Sequence, residues 1–144
     1  MRRSLIVTAL CLLAGRSVFA QDRHYIAPAR DTATLPFSGA VQVGGTLYIS
    51  GTIGLLPGRK VPDTPAAEAR LALDAVKKTL ADAGMTMDDL VSVQVFCSDL
   101  STYAEFNKVY RTYFTKEFPS RAFIGVAHLL FDARFEVQAV AVKR

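Results

Sequence analysis

The pattern of this chain predicts a single-domain α+β fold, on three observations. Apolar residues alternate as in strands or recur at helical spacing, in the order hairpin, helix, strand, helix, strand, strand. Each helical segment has one apolar stripe, so both can cover the same face of one mixed sheet. With 144 residues, 51% of them hydrophobic, there is material for one buried core and not for two.

The first twenty residues differ in kind from the rest. Arg2 and Arg3 precede an apolar run from Leu5 to Ala14, and Val18-Phe19-Ala20 offers small residues where a signal peptidase needs them. The run is too short to span a bilayer and Arg16 closes it, so it reads as a secretory signal peptide cleaved after Ala20. Residues 21–144 are then the mature domain, periplasmic or secreted, with no stable membrane insertion. The Arg2-Arg3 pair fits twin-arginine export and equally any positive n-region. Cleavage removes three arginines and no acids, so the formal charge falls from +4 to +1. Without clustered Lys and Arg, nucleic acid is not an expected partner. Cys11 is removed too, which leaves Cys97 with no intrachain partner; packing or assembly must supply the stability.

Residues 21–35 show no period and are expected as an irregular lead-in. From Ser38 to Ser50 a strand pattern is interrupted only by Gly44-Gly45. That reads as a hairpin over a type I′ turn, because a phosphate loop would need a following helix with a lysine. After a loop over residues 54–62, Thr64-Pro65 starts a helix, with threonine as cap and proline at the first helical position. Ala69, Ala72, Leu73, Val76 and Leu80 form its apolar stripe; Glu68, Arg70, Asp74, Lys77 and Lys78 fall mostly elsewhere, and Gly84 stops it.

Residues 90–97 predict a third strand, with Val91, Val93, Val95 and Cys97 on one face and Ser92, Gln94 and Ser98 on the other. Cys97 is there a core thiol rather than a nucleophile. Residues 102–114 return to helical spacing through Phe106, Val109, Tyr110 and Tyr113, with Ser101 or Thr102 as cap. Two strands follow, over 121–127 and 135–142. In the last one Phe135, Val137, Ala139 and Ala141 point one way, and Arg134, Glu136 and Gln138 the other. If both helices cover one face, the other is left to solvent or to a subunit interface, and assembly there would bring Arg and Glu from different strands together.

Familiar catalytic signatures are mostly absent. His24 and His128 stand without the spaced His, Cys and acidic residues of a zinc site, no Gly-x-Ser-x-Gly elbow surrounds Ser50, and phosphate and dinucleotide fingerprints are missing. A metal is not expected. What remains is Arg121, after Phe118-Pro119-Ser120, and Glu136 inside the final strand. Such an arginine can clamp a carboxylate with two parallel hydrogen bonds, and such a glutamate can orient or deprotonate a water. Taken singly, each is better read as a surface arginine and an interface ion-pair partner.

Five motifs occur together: Pro36-Phe37-Ser38-Gly39-Ala40-Val41, Tyr48-Ile49-Ser50-Gly51-Thr52-Ile53-Gly54, Asn107-Lys108-Val109-Tyr110, Phe118-Pro119-Ser120-Arg121-Ala122 and Phe135-Glu136-Val137-Gln138-Ala139-Val140-Ala141. In order and spacing, over residues 36–142, the chain resembles the reactive-intermediate imine deaminase (RidA/YjgF) family. The resemblance implies a chorismate-mutase-like subunit, a homotrimer with sheets facing a central barrel, and clefts between subunits. It also implies a cofactor-independent imine and enamine hydrolase acting on 2-imino acids such as 2-iminobutanoate and 2-iminopropanoate. Arg121 would grip the carboxylate, and Glu136 would position the water that attacks the imine carbon, giving a 2-keto acid and ammonia. Phe37, Ser50, Gly51 and the backbone at Phe123 carry over as pocket lining, and Asn107 as an interface residue. An imine hydrolyses unaided near neutral pH, so orientation and one polarised water suffice.

The chain departs from the family pattern at several places. Phe37 stands where Tyr is common, Leu35 for Gly, Thr52 for Gln, Ala122 for Ser, and Ala127-His128-Leu129-Leu130 for Ala-Arg-Leu-Pro. The pocket is thereby less polar, which points to a subgroup that accepts a bulkier or more apolar imine, or that only binds. Two other classes stay open: a non-catalytic trimer binding small carboxylates, and a periplasmic holdase marked by exposed apolar patches. Ribonuclease activity, a name given to relatives, is disfavoured by the near-neutral mature charge and the lack of a histidine pair.

Overall fold

The computed structural model describes residues 21–28 and 35–144. The expected signal peptide and its expected cleavage after Ala20 fall outside the described residues. The elements in chain order are β1 (Arg23–Ile26), β2 (Ala40–Val43), β3 (Thr46–Ile53), α1 (Pro65–Asp82), β4 (Leu90–Cys97), α2 (Tyr103–Tyr110), β5 (Ser120–Gly125) and β6 (Phe135–Val142). The strands form one mixed sheet in the order β1-β2-β3-β6-β4-β5. Only β4 and β5 run parallel, and α2 makes the crossover that a parallel pair requires. Both helices lie on one face, over a single core that includes Leu47, Leu73, Val95, Phe106 and Val137. The α+β expectation holds.

The lead-in contains a strand that residues 21–35 did not announce. In β1 only Ile26 is buried, so no alternation reveals it; its ladder to β2 holds it at the sheet edge. The hairpin forms as expected, with Val43 paired to Thr46. Its turn is not type I′, because that turn needs positive φ at both central residues and only Gly44 (φ 57°) has it.

Helix α1 begins where its cap predicts, Thr64 Oγ1 accepting the Ala67 N–H at 3.2 Å, and Gly84 past its end takes a left-handed φ of 67°. The five stripe residues are buried. So is Glu68, which the sequence put elsewhere. In β4 the inward residues are Leu90, Val93, Val95 and Cys97, whereas Val91 is exposed. The ladder to β6 slips between Leu90 and Ser92, so Val91 is the extra residue of a bulge and loses its place on the valine face. Cys97 is buried, its thiol donating to the Asp99 carbonyl at 3.1 Å. Thr102 holds the N-cap position of α2, as expected, but its side chain makes no capping hydrogen bond. Asp99 Oδ1 accepts the Ser101 N–H at 3.0 Å and starts a 3-10 turn, Leu100–Thr102, that runs into the helix. No helix among the described residues is long and apolar enough to cross a membrane.

Candidate active site

Arg121 is the second residue of β5, whose start is tied to the bulged end of β4 by Ser120 Oγ donating to the Val91 carbonyl at 2.8 Å. It stands beside Val93 in the ladder, and Val93 faces the helices. Arg121 therefore shares the helix-covered face, but at the sheet edge, where its guanidinium reaches α2 instead of the core. Nη2 donates to Asn107 Oδ1 at 2.8 Å, and Cζ lies 4.6 Å from the centre of the Tyr110 ring and 5.7 Å from that of Phe123. Aromatic faces attract a cation without neutralising it, and among the described residues Arg121 has no carboxylate partner. With five N–H donors on a guanidinium, most of the fork remains open to a ligand.

The Arg121 side chain borders a cavity of about 200 Å³, with Tyr103, Asn107, Tyr110, Arg111 and Phe118 among its walls. Two guanidiniums make it a place for an anion. Tyr110 is 3% exposed and its hydroxyl has no hydrogen-bond partner among the described residues. Burial pushes this phenol up to about 12 against the opposing pull of Arg121, so it stays a protonated donor. The Tyr103 phenol goes the other way, lowered by its hydrogen bond with Asn107 and by the Arg121 charge.

Glu136 lies on the opposite face. Its neighbours Phe135 and Val137 are buried beneath the helices, so the alternation of β6 turns Glu136 outward. Its carboxylate crosses β3 directly over Gly51: a Cβ at that glycine would stand 1.8 Å from Glu136 Oε1. Gly51 is needed for this approach. Burial raises the Glu136 carboxyl above its ordinary range, and it makes no hydrogen bond or ion pair among the described residues. Ser50 Oγ donates to the Ser38 carbonyl at 2.7 Å, which stitches the Phe37-Ser38 segment to β3 and leaves the Ser50 oxygen only as an acceptor. Phe37, Ser50, Gly51 and Glu136 line one concavity of about 640 Å³.

The structure thus sorts the predicted residues into two groups. Arg121 and Asn107 meet, with the Phe123 ring packed behind them against Tyr103 and Phe106; Phe37, Ser50, Gly51 and Glu136 meet on the far side. The two groups do not come together within one protomer. The expectation that arginine and glutamate share the uncovered face is corrected for Arg121 by its register with Val93, and for Arg134 by a contact the sequence did not reveal.

That contact is to Glu68. Its Oε1 accepts the N–H groups of Arg134 at 2.6 Å and Phe135 at 3.0 Å, its Oε2 accepts Arg134 Nε at 2.7 Å, and Arg134 Nη2 donates to the Pro62 carbonyl. A fully buried carboxylate thereby fixes the start of β6, just before Glu136, and draws Arg134 away from the polar face. One signal was available: Glu68, Ala72, Val76 and Leu80 fall four residues apart on one line of the apolar stripe. Among the described residues, no group of three or more His, Cys, Asp or Glu could hold a metal ion.

Comparison with known proteins shows the family. The family model described as endoribonuclease L-PSP matches residues 27–143. The 2-iminobutanoate/2-iminopropanoate deaminase of Mus musculus is 39% identical over 110 residues, 75% of this chain and 82% of that protein. The protein of the same name from Escherichia coli is 37% identical over 113 residues, 76% of this chain and 88% of that one. The crystal structure of the yjgF gene product of E. coli superposes with a TM-score of 0.74 at 38% identity, over 82% of this chain and 94% of its own. This chain therefore belongs to the endoribonuclease L-PSP family, the group that contains the RidA/YjgF imine deaminases.

Proposed function

We propose that the protein hydrolyses 2-imino acids to 2-keto acids and ammonia, at sites completed between the protomers of a homotrimer. The observation that carries this reading is the unneutralised guanidinium of Arg121, held by Asn107 and Tyr110 at the edge of an anion-sized cavity. The deaminase names of relatives at 37% and 39% identity support the reaction class. The placement of Glu136 on the other face supports assembly, since a neighbouring protomer can supply to Arg121 the carboxylate that its own protomer cannot.

The chemistry asks little more than these groups. Arg121 takes the substrate carboxylate through its two-pronged fork. Glu136 accepts a proton from water as the water oxygen bonds to the imine carbon and the C=N electron pair moves to nitrogen, and it then returns that proton to the nitrogen. The carbinolamine then loses ammonia as its C–N bond breaks and the C=O bond forms, with Glu136 accepting the hydroxyl proton and passing it to the departing nitrogen. Desolvation makes Glu136 a stronger proton acceptor than an exposed carboxylate.

The test is ammonia release from 2-imino acids generated in situ by an amino-acid oxidase. Acceleration over buffer is expected, falling about 100-fold in kcat/KM in Arg121→Ala, since truncating one side of a buried charge pair costs about 2–5 kcal/mol. Mixed trimers refolded from Arg121→Ala and Glu136→Gln protomers should regain activity that neither has alone. No acceleration for any imine would overturn the reading. Export of the domain is proposed on the pattern of residues 1–20, and an N-terminal sequence beginning at Gln21 in protein recovered from producing cells is its check.

A further inference from the structure

We propose that the Glu136 side of the site is shaped for 2-imino acids with a bulky apolar side chain, aromatic above all, seated against Phe37, Leu130 and Phe131 and closed over by Arg59. The inference rests on the deaminase reading and names its substrate class.

The concavity over Glu136 has about 640 Å³, within the range of pockets for small organic ligands, and is mostly apolar. Its walls are poorly suited to water: Leu130 is 69% exposed, Phe37 51% and Phe131 45%. Apolar side chains gathered in one concave place beside a charged group mark a ligand site more than an ordinary surface.

These walls are held in position. Phe131 and Asp132 have left-handed φ values of 64° and 57°, and Arg59, in the facing turn, has 61°. A bulky side chain takes that backbone only at a cost, so surrounding contacts must impose it. One such contact joins the two turns across the mouth, with Arg59 Cζ 5.3 Å from the centre of the Phe131 ring. Another is the Glu68 bridge, which anchors the chain at Arg134 and Phe135, immediately after the Leu130–Asp132 turn.

The same concavity ends at Ser50, Gly51 and Glu136, so a substituent on the carbon attacked there has these side chains in reach. Its charge is selective too. An acidic substrate side chain would share the cavity with the Glu136 carboxylate. An aromatic substrate ring carries no such charge and extends the Arg59–Phe131 stack.

The experiment compares kcat/KM for imines generated in situ from phenylalanine, leucine and alanine. The phenylalanine-derived imine is expected to exceed the alanine-derived one by about tenfold or more, the discrimination that even one methylene in an apolar pocket supplies. Two variants locate the preference. Phe131→Asn keeps a residue that tolerates left-handed backbone while removing the ring, and Leu130→Ser acts at a side chain too exposed to matter for folding. Each should cut the phenylalanine-to-alanine ratio about tenfold. Hydrolysis that favours the alanine-derived imine, or a ratio that neither variant moves, overturns this inference and leaves the deaminase reading standing. Failure to accelerate any of the three imines overturns both.

Discussion

Removing the Glu68 carboxylate tests how the strand that carries Glu136 is held. In Glu68→Ala the N–H groups of Arg134 and Phe135 lose their acceptor, and the Arg134 guanidinium loses its counter-ion. A buried donor left unpaired costs about 1–3 kcal/mol, and breaking a buried ion pair about 3–5 kcal/mol. The Arg134 side chain keeps 23% exposure, so its charge can partly rehydrate, and the loss should fall at about 3–4 kcal/mol. In a domain of this size that is roughly 10–15 °C in Tm. The measurement is urea unfolding at fixed protomer concentration, because assembly makes the midpoint concentration-dependent. Glu68→Gln keeps one oxygen for the two backbone donors but turns an amide N–H toward Arg134 Nε, and about 2 kcal/mol should be lost. Pairing Glu68→Ala with Arg134→Met removes the stranded charge and should recover part of the deficit. A loss below about 1 kcal/mol in Glu68→Ala would refute the claim that this bridge anchors β6.

Two glycines of one strand and loop should respond differently to alanine. At Gly51 the new methyl meets the mobile end of Glu136, so Gly51→Ala should melt close to wild type yet lose imine turnover about 100-fold; at Gly54 it would lie 2.1 Å from the backbone carbonyl of Glu68, so Gly54→Ala should cost about 3 kcal/mol. Equal melting losses at the two sites would contradict this account. The pH profile of imine hydrolysis should fall on the acid side with a midpoint above 4.5, the ordinary glutamate value, because only the ionised Glu136 accepts a proton. Burial disfavours that ionised form in the fold, so Glu136 costs stability above its folded pKa and the cost is relieved as pH falls through it. Glu136→Gln should then resist urea slightly better at neutral pH, and a less stable variant would contradict the desolvated setting.

The sheet that carries these residues was largely legible from local patterns. β3, β4 and β6 alternate because each buries one face, and α1 starts and stops at a threonine-proline pair and a glycine whose backbone preferences are their own. β1 was not legible, since a strand that buries only Ile26 carries no alternation and exists through its pairing with β2. Val91 misled because a bulge is a property of two strands, here β4 against β6. At the site, the five motifs singled out Arg121 and Glu136, and the period of β6 alone turned Glu136 away from the core. The face of Arg121 depended on its register with Val93 across a crossover, which no local period encodes.

By itself, then, the sequence determined what short-range sterics and burial periodicity control, which is most of the elements and their order; Arg121 and Glu136 stood out only through motifs that resemble a known family. The tertiary structure decided what depends on contacts between distant residues. It buried Glu68 because Arg134 arrives to pair with it, made Gly51 the floor beneath Glu136, and set arginine and glutamate on opposite faces of one sheet. The physical reason is that a side chain's partner and its face both follow from strand register, and register is settled only when the whole sheet closes over its core.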